Sequence, residues 1–463
     1  MLEPETTYYY RSYIIQNDKV EYGETKSFKT LALSSMIQTL DASGVNHKAA
    51  TLNAMLDLTD CNYSSIEYGF ELTPEGGQAK TLTANNLADK AFSYLDNSLV
   101  MNTGYSYVAY VRLDDILYKG ETKTFTTTSI QDSETDLSSS ASANCYIISE
   151  AGLYKFSTVK GNSSKSVGAV SSAEVLWETF GTDVTPNVGD LVQNISYKNG
   201  EVTFQTADTF TRGNAVIAAK DASGNILWSW HIWFTDQPQE HVYNNSAGTM
   251  MDRNLGATSA TPGDIGALGL LYQWGRKDPF LGSSIIDGFT LAKSTITWPS
   301  PVSSNSSNGT IAYATANPTT FITYNWENSD WYYTGDSSTD NTRWTTSESS
   351  KSIYDPCPSG WRVPDGGSNG IWSKAGFDTT TYDSANKGMS FSISSPSTTW
   401  YPASGFRDYG AGGLNSVGNY GPYWSASPSS LNAYILYFNL SGYVDPSYYY
   451  YRADGFSVRC LQE

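Results

Sequence analysis

The chain has 463 residues, a formal net charge of −18 and only 28 lysine and arginine residues. This length suffices for about three domains with sizeable cores, so folding does not require a metal or many disulfides. The acidic balance, without a basic stripe, argues against a nucleic-acid partner, because a polyanion needs clustered cations. No apolar run approaches the roughly 18–20 residues of a membrane-spanning helix.

The composition is rich in Ser, Thr, Asn, Gly and Tyr and poor in Lys and Glu, which is typical of β-sheets and loops. Four cysteines occur without a CxxC pair, and the chain has three histidines. This inventory does not favour a structural zinc site. We therefore predict a mainly β, multidomain protein with no metal and no cofactor.

A repeat opens the chain. "TTYYYRSYIIQNDKVEYGETKSFKT" (6–30) aligns with "TGYSYVAYVRLDDILYKGETKTFTT" (103–127) at an offset of 97 residues. Each copy alternates apolar and polar residues in two strands joined by a polar turn. The copies resemble the last two strands of a fibronectin type III domain. We predict the C-terminal part of one such module at 1–31, in a chain truncated at its N-terminus, and a complete spacer module at 32–128.

A serine-rich linker is predicted at 129–143, followed by an all-β domain at 144–238 whose turns are marked by Gly-Asn pairs. Within it, Trp228, Trp230 and Trp233 could form a sugar-binding platform. However, Trp228 and Trp230 share a strand face with apolar neighbours, which favours packing in a core.

The sequence changes character from residue 239 onward. Gly263 to Trp274 is the best helix candidate, and a second helix-like segment lies within 355–377. The Ser/Thr/Asn/Trp-rich stretch from Ser283 to Ser350 has little periodicity, which predicts loops.

Five motifs occur in order across this region: "MDRNLGA", "LLYQWGRKDPF", "DPCPSGWRVP", "YWSAS" and "RADGFSVRC". Together they resemble the Fibrobacter-type major paralogous domain, a C-type-lectin-like fold related to formylglycine-generating enzymes. They also resemble the variable proteins diversified by retroelements. The resemblance implies that residues 239–463 form an irregular α+β, C-type-lectin-like ligand-binding domain. The upstream "SANCYIIS" and "ILWSWHIW" resemble the β domain that often precedes it in bacterial surface proteins.

Cys357 and Cys460 lie in two of these motifs, and we predict a disulfide between them, with two buried free thiols as the alternative. Cys61 and Cys145 are expected to be unpaired. The formylglycine-generating relatives need redox-active or metal-binding cysteines, which a structural disulfide would not supply. The Glu-Pro-Asn and Gln-Pro-Asp loops of calcium-dependent lectins are also missing.

The remaining titratable residues give no catalytic constellation. No pair of carboxylates can be nominated for glycoside hydrolysis. His231 and His241 lie in or beside a tryptophan-rich strand and are expected to have core or turn roles. We predict no catalytic residues and no enzymatic activity.

Residues 419–452 include nine Tyr, six Ser and three Asn, and only Asp445 and Arg452 are charged. Antibody binding loops have a similar composition, because tyrosine provides wide amphipathic contacts at low entropic cost. At least two of the four tyrosines at 448–451 are expected to face a ligand. The predicted ligand-binding residues are Tyr420, Tyr423, Trp424, Ser427, Ser429, Asn432, Tyr434, Tyr443, Tyr448, Tyr449, Tyr450, Tyr451 and Arg452.

Residues Ser425 to Arg452 lack Lys, Glu, Gln, Met and Trp. Retroelement mutagenesis replaces adenines, typically in AAC codons, and the resulting NNC codons cannot encode any of these five residues. This pattern favours retroelement diversification. Four of the five residue types are also absent from Ser390 up to that window, which weakens the argument.

We predict a surface adhesin or ligand-binding protein at the cell surface, associated with the outer membrane or a pilus. Its expected partner is a protein or glycan on another cell or surface, with pilus subunits as further candidates. One alternative is a glycan-binding module in which Trp331, Tyr332 and Tyr333 stack on sugar. The others are an enzyme related to the formylglycine generators and a structural pilus or surface-layer component.

Overall fold

The computed structural model describes residues 6–30, 36–46, 48–58, 64–128, 134–346 and 350–463. The chain folds into two units, Met1–Ser133 and Glu134–Glu463. Both consist mainly of β-strands, which confirms the predicted fold class. The boundary between the units lies inside the predicted linker at 129–143.

The first copy of the repeat forms two separate hairpin-like pairs. Strand β1 pairs antiparallel with β4, and β2 pairs antiparallel with β3. The side chains of these strands are exposed, apart from the half-buried Tyr8. The strands are β1 (Thr7–Tyr10), β2 (Tyr13–Gln16), β3 (Lys19–Tyr22) and β4 (Lys26–Lys29).

The second copy belongs to a β-sandwich. One sheet has the order β5-β6-β9, and the other has the order β11-β10-β7-β8, with β12 also paired to β10. The two sheets form a β-sandwich, in line with the predicted fold class. The strands are β5 (Ile37–Ser43), β6 (Ala50–Leu56), β7 (Ile66–Pro74), β8 (Lys80–Ala84), β9 (Ala91–Asp96), β10 (Gly104–Leu113), β11 (Ile116–Lys119) and β12 (Lys123–Thr126).

The alternating residues of the two sheets meet in one core, because successive side chains on a strand point to opposite faces. Its largest buried members are Phe70, Phe92, Tyr105 and Tyr107.

The second unit begins with another sandwich. Its sheets have the orders β13-β15-β18-β17 and β14-β20-β19-β16. The short strand β13 lies in the predicted linker. The strands are β13 (Thr135–Asp136), β14 (Cys145–Ile148), β15 (Leu153–Ser157), β16 (Ser172–Thr179), β17 (Val192–Lys198), β18 (Glu201–Thr206), β19 (Gly213–Lys220) and β20 (Ile226–Phe234).

The three tryptophans of β20 are all buried. Trp228 and Trp230 pack inside this sandwich, whereas Trp233 packs in a core that includes residues beyond 239. They belong to cores, as the strand pattern favoured, and they do not form a sugar platform.

The predicted all-β domain (144–238) and the region 239–463 share that second core. Cys145 and Trp177 pack there with Tyr272, Trp424 and Phe456. The two regions therefore pack around a shared hydrophobic core within the unit Glu134–Glu463.

Beyond residue 239 the chain forms several small sheets and one large one. The large sheet has the order β31-β30-β35-β32-β33-β34, with β23 paired to β35. Its strands are β23 (Leu271–Gln273), β30 (Phe406–Arg407), β31 (Leu414–Asn415), β32 (Tyr420–Ser429), β33 (Asn432–Asn439), β34 (Val444–Tyr451) and β35 (Gly455–Ser457).

The small sheets have the orders β21-β22-β36-β26, β24-β25 and β27-β28-β29. Their strands are β21 (Glu240–Val242), β22 (Thr249–Met251), β24 (Val302–Ser303), β25 (Ile322–Thr323), β26 (Trp361–Arg362), β27 (Tyr382–Asp383), β28 (Gly388–Ser392), β29 (Thr398–Pro402) and β36 (Leu461–Gln462).

The helix predicted at Gly263–Trp274 is wrong. A short 3-10 turn, Ile265–Ala267, is followed by strand β23, which pairs with β35. Gly263 and Gly269 have positive φ angles of 79° and 72°, which interrupt a right-handed helix.

Helices elsewhere are short. Helix α1 (Ile311–Ala316) lies in the stretch predicted as loops, and its N-terminus is capped by Thr310, whose side chain accepts a hydrogen bond from the Tyr313 amide. Helix α2 (Ile371–Ala375) lies in the second helix-like segment, and a further 3-10 turn spans Asn244–Ser246.

Cys357 and Cys460 form the predicted disulfide, which joins Cα atoms 6.0 Å apart across a separation of 103 residues. The bond ties the C-terminal segment to the loop before β26. Cys145 is a buried free thiol, and burial raises its pKa. Cys61 lies outside the described residues.

Candidate functional site

The tyrosine-rich segment forms the end of the large sheet. Strand β33 lies between β32 and β34 and runs antiparallel to both. In this register Ile435 lies opposite Tyr448, and Tyr434 lies opposite Tyr449. Strand β34 is the last strand on this side of the sheet within the described part of the chain.

The four consecutive tyrosines divide between the two faces of β34, because side chains alternate along a strand. Tyr448, Tyr449 and Tyr451 are 38%, 55% and 37% exposed, and Tyr450 is half-buried. Tyr448 and Tyr450 line a cavity on one face, whereas Tyr449 and Tyr451 do not line it. The strand therefore offers two different tyrosine surfaces.

The cavity has a volume of about 440 Å³ and is lined almost entirely by rings and apolar groups. We call it the tyrosine cavity. Its lining residues are Phe406, Tyr420, Pro422, Ile435, Tyr437, Asn439, Tyr443, Tyr448, Tyr450 and Phe456.

Tyr437 lies at the centre of the ring network. Its ring centroid is 5.2 Å from that of Tyr448, 5.6 Å from that of Tyr420 and 6.2 Å from that of Tyr443. The planes are inclined by 32°, 63° and 58° to that of Tyr437, so the rings are not stacked parallel to it.

The floor of the cavity is apolar. Ile435 and Phe456 are buried in the same core as Trp424, and the Phe456 ring lies 5.6 Å from that of Tyr450. The tyrosines thus stand on a packed base, which limits the rearrangement needed when a ligand binds.

None of the cavity-lining residues carries a charge at neutral pH. Burial raises the pKa of Tyr450 to about 12, and it also raises the pKa of Tyr437. The nearby charge of Asp445 raises the pKa of Tyr443, whose hydroxyl donates to the Asp445 carboxylate at 3.4 Å. The raised pKa values keep the hydroxyls of Tyr437, Tyr443 and Tyr450 protonated, so they can donate or accept hydrogen bonds.

Of the predicted site residues, Tyr420, Tyr443, Tyr448 and Tyr450 come together in this cavity. Tyr437, which was not among the predicted residues, also lines it. Phe406, Pro422, Ile435, Asn439 and Phe456 were missed. The period-2 pattern places Ile435, Tyr437 and Asn439 on one face of β33, and this signal could have found them.

Two predicted site residues are instead part of the core. Tyr423 is buried, and its hydroxyl donates to the Pro402 carbonyl at 2.6 Å. Trp424 is buried, donates from Nε1 to the Tyr272 carbonyl and stacks on Phe456 at 4.4 Å. These contacts leave neither ring a face that a ligand could reach, so Tyr423 and Trp424 are not part of the candidate surface.

Arg452 is also buried, which corrects its predicted ligand-binding role. Its guanidinium lies 4.3 Å from the centre of the Trp274 ring and donates to Asn341 and to the Ser430 and Asn432 carbonyls. Arg452 thereby holds the turn between β32 and β33 in place.

The other predicted residues lie away from the cavity. Ser427 accepts a hydrogen bond from the Gly366 amide at 3.0 Å. The Tyr434 ring packs against Gly367, where an added Cβ would lie 3.2 Å from the ring. Ser429 and Asn432 pair with each other at the end of the β32–β33 hairpin. These four residues are half-exposed and do not join the tyrosine cavity.

Trp331 cannot stack on a sugar in the alternative site that it was predicted to form with Tyr332 and Tyr333. Trp331 is fully buried, and its Nε1 donates to the Trp274 carbonyl at 2.8 Å. Only Tyr332 and Tyr333 of that trio are partly exposed. His231 is buried as well, hydrogen-bonded to Asn214, and burial lowers its pKa to about 3.

A second, more open cavity of about 690 Å³ occurs in the same unit. It is lined by small polar residues such as Ser142 and Ser163, together with Lys351 and Glu463. The Lys351 ammonium already donates to the Cys357 and Pro358 carbonyls. Because this cavity lacks aromatic anchors, the tyrosine cavity is the stronger candidate.

The described ranges of the chain contain no group of three His, Cys, Asp or Glu side chains placed to hold a metal ion. They also contain no helix with the length and hydropathy required to cross a bilayer.

No protein-family model and no curated protein matches the chain. Among solved structures, it is similar to the sensor domain of the anti-sigma factor RsgI4 of Pseudobacteroides cellulosolvens, at 14% identity and a TM-score of 0.18, over 20% of this chain and 93% of that chain. It is similar to a two-domain fibronectin type III segment of chicken tenascin at 12% identity and a TM-score of 0.18, over 42% and 98%. The chicken interferon gamma receptor alpha chain gives 14% identity and a TM-score of 0.20, over 27% and 68%. Likenesses of this strength do not assign a function.

Proposed function

We propose that this chain is an extracellular ligand-binding protein that recognises its partner through the tyrosine cavity and the adjoining outer face of β34. The observation that carries the proposal is a concave, uncharged surface in which five tyrosines surround a packed apolar floor. Tyrosine-rich concave surfaces provide large contact areas with little loss of side-chain entropy.

The setting of the surface supports an extracellular role. Disulfides form and persist mainly in oxidising compartments, and the Cys357–Cys460 bond lies in the same unit as the cavity. The sandwich of the first unit resembles modules that commonly act as spacers. Adhesion at a cell surface or pilus is the form of this function that we favour.

The five sequence motifs lead us to propose also that residues 239–463 belong to the C-type-lectin-like group. Retroelement diversification is part of this proposal, because three exposed tyrosines lie on a strand with one neighbour in its sheet. The genomic neighbourhood tests it: a reverse transcriptase beside a near-copy of the final coding segment, differing at adenines, supports diversification. A neighbourhood with neither feature contradicts it.

The binding function is tested by probing the chain on arrays of glycans and immobilised extracellular proteins. We expect hits that are lost when Tyr443→Ala and Tyr448→Ala are combined, because both residues are exposed and line the cavity. Tyr9→Ala is the matched control, since Tyr9 is exposed in the first unit.

The melting temperature of each variant separates binding from folding. Hits that survive the double substitution unchanged contradict the proposal, as does an absence of hits for the unaltered chain. The enzyme and structural-component alternatives stay predictions, and no feature of the tyrosine cavity favours either.

A further inference from the structure

We propose that the tyrosine cavity binds a compact organic cation, a trimethylammonium group carried without a neighbouring anion. This inference rests on the proposed function and names the chemistry of the ligand. The observations that carry it are the inclination of the rings, the absence of cations among the lining residues and the position of Asp445.

The geometry favours a rounded group over a flat one. A sugar ring stacks best on one exposed aromatic face, whereas here Tyr420, Tyr443 and Tyr448 surround Tyr437 at different inclinations. A trimethylammonium group is nearly spherical and can contact several inclined rings at once. A cavity of about 440 Å³ accepts such a group together with part of its tether.

The electrostatics favour a positive ligand. The face of each ring carries the negative part of its quadrupole, and rings that converge on a cation attract it. No Lys, Arg or His lines the cavity. Asp445 accepts a hydrogen bond from Tyr443 and places a carboxylate next to the lining rings.

The arginines that follow Phe406 and Tyr451 in the chain do not compete for the cavity. Arg452 is buried against Trp274 and donates to groups outside the lining. Arg407 is buried, and its Nε donates to the Leu281 carbonyl. The net charge of −18 adds a long-range attraction for cations.

The same features select against an anionic neighbour on the ligand. A phosphate beside the trimethylammonium group would find Asp445 and no lining cation to pair with it. A trimethylated lysine side chain or a free choline should therefore bind more tightly than phosphocholine.

The test compares choline with 3,3-dimethylbutan-1-ol, which has the same shape but no charge, by calorimetric titration of the full chain. We expect choline to bind at least about tenfold more tightly, because only the cation gains from the ring quadrupoles. A trimethyl-lysine peptide and phosphocholine form two further arms, and phosphocholine should be the weaker. Equal binding of choline and the neutral isostere overturns the inference, and so does the absence of choline binding at tens of millimolar.

Substitutions locate the site and separate ring chemistry from shape. Tyr448→Phe keeps the aromatic face and should retain choline binding within about threefold, whereas Tyr448→Leu should weaken it at least about fivefold. Tyr9→Leu is the matched control, because Tyr9 is an exposed strand tyrosine of the first unit. Asp445→Asn should weaken choline without affecting the isostere. Equal losses in the Phe and Leu variants contradict a cation–ring interaction.

The outcomes also distinguish the two proposals. If choline fails to bind while array hits still depend on Tyr443 and Tyr448, the cation inference falls and the proposed function stands. If choline binds but no array hit depends on these residues, the proposed function falls.

Discussion

The two copies of the repeat have nearly the same sequence pattern but opposite exposures. Tyr10 and Tyr13 of the first copy are 56% and 66% exposed, whereas their counterparts Tyr107 and Tyr110 are 1% and 2% exposed. Local aromatic pairing is shared, since Tyr8 stacks on Phe28 and the aligned pair stacks in the second copy. The second sheet covers Tyr107, whereas Tyr110 is buried on the other face of β10, with its hydroxyl beside Thr83 and Glu67 of its own sheet.

This comparison shows that an alternating strand pattern specifies which side chains share a face but does not ensure that the face is buried. Tyr107 reaches the opposite sheet, where its hydroxyl donates to the Leu40 carbonyl of β5. The tyrosines of β34 are intermediate: the cavity half-encloses Tyr450 and leaves Tyr449 exposed. If burial, and not residue type, sets the contribution of a tyrosine to stability, substitutions in the two copies should have very different effects.

The largest effect is expected for Tyr107→Ala. Truncating a fully buried aromatic side chain removes its transfer energy and leaves a cavity, which costs about 3–5 kcal/mol. The free energy of unfolding of the first unit, from urea titration, measures the loss. A loss no larger than that of Tyr10→Ala would contradict the comparison.

Removing the disulfide should destabilise the second unit by about 2–4 kcal/mol, because it closes a loop spanning 103 residues of separation. The first unit contains neither Cys357 nor Cys460, so the Cys357→Ala/Cys460→Ala variant should shift only one of the two transitions. Calorimetry then assigns each transition to its unit. A shift of both transitions would contradict independent unfolding.

A smaller effect is expected for Tyr110→Phe. The Tyr110 hydroxyl donates to Glu67 at 2.9 Å, and a hydrogen bond of this kind makes a net contribution of about 1 kcal/mol. Tyr13→Phe in the first copy is the matched control and should leave the unfolding free energy unchanged. Equal effects in the two variants would show that the exposed copy is also packed in solution.

The smallest effect is expected for Tyr10→Ala, which should change the unfolding free energy by less than about 0.5 kcal/mol. Its side chain is exposed, although its ring lies 6.2 Å from that of Phe28. Urea titration of this variant beside Tyr107→Ala completes the comparison. A loss above about 2 kcal/mol would show that another surface covers this copy.

The sequence predicted those features that depend on local pattern. The repeat located the fibronectin-like sandwich, because β10 to β12 follow from alternation and a polar turn. The Cys357–Cys460 bond followed from motif resemblance. The tyrosine-rich window 419–452 contains eight of the ten residues that line the cavity, all except Phe406 and Phe456.

Other features depend on contacts between distant segments, which composition does not encode. Strand β23 forms where a helix was predicted, since Leu271–Gln273 pairs with Gly455–Ser457 far along the chain. Trp424 and Arg452 have the residue types of binding surfaces, yet both are buried by partners near 272 and 341. Phe406 joins the cavity only through the order of strands in the large sheet.

The position of β34 at the end of its sheet has a consequence for how this protein can change over generations. An edge strand has a single hydrogen-bonded neighbour, and the Pro446 in β34 fits such a position. Replacing Tyr448, Tyr449 or Tyr451 requires no compensating replacement in a second adjoining strand. Substitutions can therefore accumulate at these exposed positions, whereas the disulfide and the buried aromatic residues keep the scaffold constant.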